Sequence, residues 1–132
     1  MTKCAWACVL FVIIFGYIAC QENPYRQGKN LYTAYCATCH MEEGQGLKGL
    51  FPPIAGADYL EEHFEELPCI IRYGLEGEIV VNGRSYNQPM LAIKNINEIE
   101  IANIMNFINR EWRNVDDFVS PEQVRQQLSK CQ

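Results

Sequence analysis

Residues 36–40 read Cys36-Ala37-Thr38-Cys39-His40. This is C-x-x-C-H, the attachment signature of a c-type haem. The spacing has a mechanical reason. Each thiol adds to one of two vinyl groups on adjacent pyrroles, and two intervening residues span that separation. His40 is then held against the ring face, where its imidazole can bind iron as proximal ligand. Two other chemistries use the same spacing. A redox dithiol of the thioredoxin type follows a strand in an alternating strand–helix chain, whereas a helix is expected before this motif. A tetrahedral zinc site needs four ligands. Cys36, Cys39 and His40 supply three, with Cys69, Cys131 or His63 as a candidate fourth.

Upstream of the motif, Gly28, Tyr32 and Cys36 recur every four residues, so 26–36 predicts a helix with these three on one face. Gly28 is either a weak spot in that helix or the place where another helix comes close. Downstream, 41–57 is Gly-rich, contains Pro52-Pro53 and reads as a loop. Asp58 is placed to cap a short helix holding Leu60, His63, Phe64 and Leu67. Pro68 interrupts it, with a further turn or two over 69–73. Residues 78–87 carry Asn82-Gly83 between extended-type residues, the strongest hairpin signal in the chain.

The clearest helix is 98–112. Asn97 caps it, Glu100 reaches back as in a capping box, and Ile96 and Ile101 have the spacing of a hydrophobic staple. Ile101, Ile104, Met105, Ile108 and Trp112 form its apolar stripe. Ser120 and Pro121 open a last polar helix that ends near Lys130.

The N-terminus reads as an address. Lys3 precedes a charge-free run from Cys4 to Cys20, CAWACVLFVIIFGYIAC. A positive start, an apolar core and small residues are the layout of an export signal. Its end, Tyr17-Ile18-Ala19-Cys20, resembles a bacterial lipobox, with Tyr17 where Leu is usual. Cleavage before Cys20 would leave that thiol to accept lipid. An uncleaved membrane anchor and an ordinary signal peptide are the alternatives. All three export the chain.

At 132 residues the chain has room for one main domain. A hydrophobic fraction of 48% and a charged fraction of 20% exclude disorder throughout. A formal net charge of −5 argues against nucleic acid, which requires a basic face. The run Glu61, Glu62, Glu65 and Glu66 is a solvated helix face or a docking patch for a cationic partner. Beyond the motif and the N-terminal run only Cys69 and Cys131 remain. They can pair, be buried or stay free, and a disulfide-stapled miniprotein is not expected.

With these elements in place, the chain resembles the class I (monohaem) cytochromes c, in a bacterial lipoprotein-type form. That family carries a Gly eight residues and an aromatic four residues before the first motif cysteine, as Gly28 and Tyr32 do here. Its last core helix crosses the first at that Gly through an apolar and an aromatic residue three apart, which Ile104 and Phe107 match. Leu50-Phe51-Pro52-Pro53-Ile54-Ala55-Gly56, the stretch Val81 to Asn87, and Ile101 to Trp112 look like a subgroup of bacterial monohaem domains. The resemblance covers 26–113.

The resemblance implies a mainly α fold, helices around one covalently bound haem c with a small β-hairpin. The organisation it suggests is a lipoprotein-type signal peptide over 1–19, a tether over 20–25, the cytochrome c domain over 26–113 and a C-terminal helical extension over 114–132. It implies covalent haem on Cys36 and Cys39, and His40 as proximal iron ligand. Met90 is the expected distal ligand, although Pro89 precedes it where the family usually has Pro after the methionine. His63 or an open position is the alternative. Pro53 resembles the family proline whose carbonyl orients the proximal imidazole.

The implied role is one-electron transfer outside the cytoplasm by a carrier, not an enzyme. The carrier would be tethered to the membrane through lipid on Cys20 or an N-terminal anchor, on the periplasmic or cell-surface side of a bacterial envelope. Its redox partners would be a quinol-oxidising complex, a dehydrogenase or a terminal oxidase. A haem-based small-ligand sensor or a peroxidase-like enzyme would instead need the iron left open.

Overall fold

The architecture was read from a computed structural model that describes residues 25–131. The expected signal segment, most of the tether and Cys20 lie outside the described residues. The element order is α1 (Arg26–Tyr35), α2 (Ala37–His40), α3 (Asp58–Glu62), a 3-10 turn (Phe64–Glu66) and α4 (Leu67–Tyr73). Strands β1 (Ile79–Val81) and β2 (Arg84–Tyr86) follow, then α5 (Glu98–Ile108), a π-helical turn (Asn109–Arg113) and α6 (Pro121–Leu128). The fold is mainly helical, with one two-stranded antiparallel sheet.

The α1–α5 crossing organises the core. A Cβ built on Gly28 would stand 2.1 Å from the Asn103 carbonyl oxygen and 2.8 Å from the Phe107 Cβ. Glycine in a helix costs about 1 kcal/mol relative to alanine, but only glycine allows this approach. The crossing therefore uses Phe107, as expected, but the residue meeting Gly28 beside it is Asn103 through its backbone. Ile104, one position on, is fully buried and faces the cavity described below. Tyr32, one turn after Gly28, packs its ring 5.4 Å from Phe107 and 5.0 Å from Trp112. Tilted and edge-on aromatic pairs each contribute about 0.5–1.5 kcal/mol beyond their buried area.

Helix α5 begins as expected. The Asn97 side chain accepts from the N–H groups of Ile99 and Glu100, and the Glu100 carboxylate accepts from the Asn97 N–H. Such a cap is worth about 1 kcal/mol. The helix ends earlier than the expected 112, because the last turn widens to π form over Asn109–Arg113 and closes on left-handed Asn114. Asn106 and Asn109 hold the following segment down. Asn106 donates to the Val119 carbonyl and accepts from the Val119 N–H, each at 2.8 Å, and Asn109 donates to the Asp117 carbonyl at 2.9 Å. Ser120 and Gln123 then build the capping box of α6.

Val119 and fully buried Val124 belong to the same core as α1 and α5. Cys69 and Cys131 form a disulfide, with Cα atoms 5.7 Å apart, that fastens the chain after α6 to α4.

The hairpin is as expected. Val80 pairs with Ser85, and Asn82 and Gly83 turn with φ of 50° and 72°, the primed turn that suits twisted strands. Asp58 is the first residue of α3, and Ala57 holds the cap position. The Asp58 carboxylate instead accepts from the Asn82 N–H at 2.7 Å, tying α3 to the hairpin tip. Pro68 sits in the first turn of α4, where a missing N–H costs nothing.

Candidate functional site

The motif sits on the short helix α2, entered directly from α1 through Cys36. His40 N–H donates to the Cys36 carbonyl at 2.9 Å, and the Tyr32 hydroxyl donates to the Met41 carbonyl at 2.8 Å. Buried Tyr32 thereby fixes the chain just past His40. The loop then folds back on the motif. Gly46 N–H donates to the His40 carbonyl, Ile54 and Ala55 N–H groups donate to the Gly44 carbonyl, and Leu47 and Phe51 bridge each other.

That loop brings the Pro52 carbonyl oxygen 2.9 Å from His40 Nδ1. A carbonyl can only accept, so Nδ1 carries the proton and Nε2 keeps a free electron pair in the neutral ring. Burial pushes the imidazole below its ordinary pKa, against the opposing pull of the Pro52 hydrogen bond. The carbonyl is that of Pro52, one residue before the Pro53 expected from the resemblance. The Leu47–Phe51 bridge and the Ile54–Gly44 bond pin the chain on both sides of the proline pair. In that setting Pro52 O turns to His40, and Pro53 lines the cavity wall.

His40 opens onto two contiguous cavities of about 420 and 100 Å³, which share Cys36, His40, Pro52, Leu75, Ile79 and Met90 as lining. Cys39 lines the larger one. The Met90 loop is fastened to the end of α4. Leu75 and Met90 exchange backbone hydrogen bonds at 3.0 and 2.9 Å, and Ile93 N–H donates to the Ile71 carbonyl. Gly74, at φ 84°, makes room, since a Cβ there would lie 2.5 Å from the Met90 carbonyl. Cys36, Cys39, His40 and Met90 are thus brought to one cavity system.

His63 lines the smaller cavity, stacks on Tyr59 with ring centroids 4.1 Å apart, and lies beside Glu66. The acidic run is largely engaged. Glu61 holds the Arg113 guanidinium, Glu65 accepts from Gln127, and Glu66 faces His63.

The other chemistries of the motif do not fit. The disulfide consumes Cys69 and Cys131, two of the three candidate fourth zinc ligands. Among the described residues no three His, Cys, Asp or Glu side chains converge to hold a metal. Burial, with Cys39 beside it, pushes the Cys36 thiol up to about 12, away from the thiolate that dithiol exchange requires. What remains is two thiols and a neutral imidazole on the wall of an apolar cavity.

Residues 25–112 match the family described as Cytochrome c. The chain belongs to the cytochrome c family. It is 38% identical over 106 residues to a cytochrome c-552 of Thermus thermophilus, covering 77% of this chain and 68% of that protein. A second Thermus thermophilus cytochrome c-552 is 42% identical over 89 residues, covering 64% and 67%. The cytochrome c subunit of a quinone alcohol dehydrogenase from Gluconobacter oxydans is 30% identical over 90 residues, covering 66% of this chain and 18% of that subunit.

As a cytochrome c, the chain binds haem c covalently, and a single domain of this size takes one. Its function is electron transfer, as a carrier and not an enzyme. The residues fit the group: the apolar cavity suits a porphyrin face, the two thiols line its wall, and Nε2 of His40 is left as an electron-pair donor.

Proposed function

We propose that this cytochrome c is a membrane-tethered, extracytoplasmic electron carrier, with Cys36 and Cys39 as the thioether positions, His40 as proximal ligand and Met90 as distal ligand. One observation carries the reading. His40, with its Nδ1 proton held by Pro52, shares its cavities with Cys36, Cys39 and Met90.

The haem supplies one iron that alternates between ferric and ferrous states. The protein does the rest. The Pro52 carbonyl holds the Nδ1 proton, which fixes the ring orientation and raises the basicity of Nε2. Met90 offers a neutral thioether, which favours the ferrous state and a comparatively high potential. Apolar walls from α4, α5 and β1 exclude water, so little solvent reorganises when charge changes.

Export is supported from two sides. The charge-free run that ends at Cys20 has the layout of an export signal. The Cys69–Cys131 disulfide belongs to an oxidising compartment. No helix among the described residues is long and apolar enough to cross a membrane, so the tether falls to lipid on Cys20 or to the N-terminal run itself. The likeness to a dehydrogenase's cytochrome subunit supports a place in a respiratory chain, passing electrons between a dehydrogenase or quinol-oxidising complex and a terminal oxidase.

The ligand set is tested with Met90→Ala. The variant should bind carbon monoxide or cyanide, lose the long-wavelength ferric band of a thioether-ligated iron, and show a lowered potential. An unchanged spectrum in Met90→Ala, with both properties altered in His63→Ala, would assign the distal position to His63. Carbon monoxide binding by the unmodified protein would instead mean an open iron, as in a sensor or peroxidase-like enzyme.

A further inference from the structure

His63 is one of only two histidines in the chain, and the other is His40. Once His40 is committed to iron, His63 is the remaining imidazole. It stands at the joint between α3 and the 3-10 turn, and its ring forms part of the wall of the smaller cavity. Its Nδ1 is buried and makes no hydrogen bond. The nearest acceptor, Glu66 Oε2, is 3.3 Å away, within ion-pair distance but out of hydrogen-bond alignment. A buried polar atom left this way calls for an explanation.

The surroundings limit what it can respond to. Its own turn offers the Glu66 carboxylate, and α3 offers the Tyr59 phenol stacked on the ring, whose pKa burial and Glu66 both raise. The other elements lining that cavity present apolar groups, Ile70 and Ile71 of α4, Ile104 and Ile108 of α5 and Val81 of β1, apart from the Cys36 thiol and the His40 imidazole, whose Nδ1 is held by the Pro52 carbonyl. The side chain is 34% exposed, so protons reach it from solvent. The imidazole thus stands on the wall of the cavity that would hold the haem.

We propose that His63 is a redox-linked proton site, taking up a proton as the iron is reduced. The proposal rests on the haem occupying the cavity described above. When a partner delivers one electron, the iron loses one unit of positive charge. The imidazolium of His63 is then less repelled, and a proton from bulk water is taken up on the ring, with Glu66 beside Nδ1 to pair with it. On oxidation both leave, the electron to the next carrier and the proton to solvent. Linkage requires the converse: lower pH favours the ferrous state.

The experiment is a redox titration of the haem-loaded protein from about pH 5 to 8, the range in which histidine changes charge. Proton NMR of the His63 ring in each oxidation state accompanies it. The His63 pKa should be higher in the ferrous protein. At fixed ambient potential the ferrous-to-ferric ratio should fall by roughly three- to tenfold across the window, as for one screened charge near another. His63→Gln should flatten that dependence and leave the ligand bands unchanged. Equal His63 pKa values in the two states would overturn the proposal, and that comparison needs no variant. A pH dependence that persists in His63→Gln would also overturn it, as would altered ligand bands, which would make His63 an iron ligand. Absence of any reversible one-electron couple would instead remove the electron-carrier reading itself.

Discussion

His40 Nδ1 donates to the Pro52 carbonyl across 2.9 Å, and the loop that delivers the carbonyl depends on Gly46. Gly46 has φ 66°, and a Cβ there would stand 2.5 Å from both the Phe51 and Pro52 carbonyl oxygens. Gly46→Ala should push Pro52 O away from His40. With His40 as the proposed proximal ligand, its Nε2 then becomes less basic, the ferric state loses support, and the reduction potential rises. Voltammetry of the purified variant checks the sign; a lower potential would mean that the hydrogen bond is not tuning the iron.

Gly28→Ala should destabilise the fold. Alanine gains about 1 kcal/mol of helix propensity, but its methyl must displace the Asn103 carbonyl or Phe107. Overpacking of this kind costs about 1–3 kcal/mol, and backbone at 2.1 Å belongs at the upper end. The net loss should appear as a lower denaturant midpoint with an unchanged slope.

The Cys69–Cys131 bond closes a loop across a sequence separation of 62. On the chain-entropy account a loop of that size contributes about 4 kcal/mol, and measured losses run about 2–5 kcal/mol. Replacing both cysteines with Ala should lower the unfolding midpoint accordingly. A thiol reductant should lower the unmodified protein to the same value and leave the double variant where it is.

Glu98 supplies a pH dependence. Its carboxyl is held below the ordinary 4.5, first by its own backbone N–H in the opening turn of α5, then by the Arg72 side chain at 3.0 Å. A carboxylate with a lowered native pKa stabilises the fold above its unfolded value. That stabilisation is lost as pH falls from about 4.5 through the lowered value. Arg72→Met should therefore be less stable than the unmodified protein at neutral pH. The gap should narrow as acid protonates Glu98. A gap that stays constant in acid would mean that Arg72 acts by packing alone.

The parts legible in the sequence were those set by local chemistry. The Asn97–Glu100 cap, the Asn82-Gly83 turn and the motif at 36–40 each depend on residues close in the chain. Gly28 and Tyr32 were legible because a helix repeats every four residues on one face. What escaped depends on where distant segments meet. Pairing of Cys69 with Cys131 needs α6 to lie on α4, which no spacing encodes. Choosing between Pro52 and Pro53 requires knowing which way a pinned loop turns its carbonyl. Asn106 and Asn109 carry no local signal of their role, because only the return of 115–119 gives them partners. The π turn that ends α5 early accompanies the same region, where Asn109 and Glu61 both hold Arg113.

The central claim is that haem is held covalently through Cys36 and Cys39, and the mass of the proteolytic peptide spanning 36–40 tests it most directly. Measured after acid denaturation and organic extraction, the peptide should carry the mass of one haem with no free thiol, and the haem colour should stay with the protein. A peptide with two free thiols, or haem recovered in the organic phase, would contradict the account.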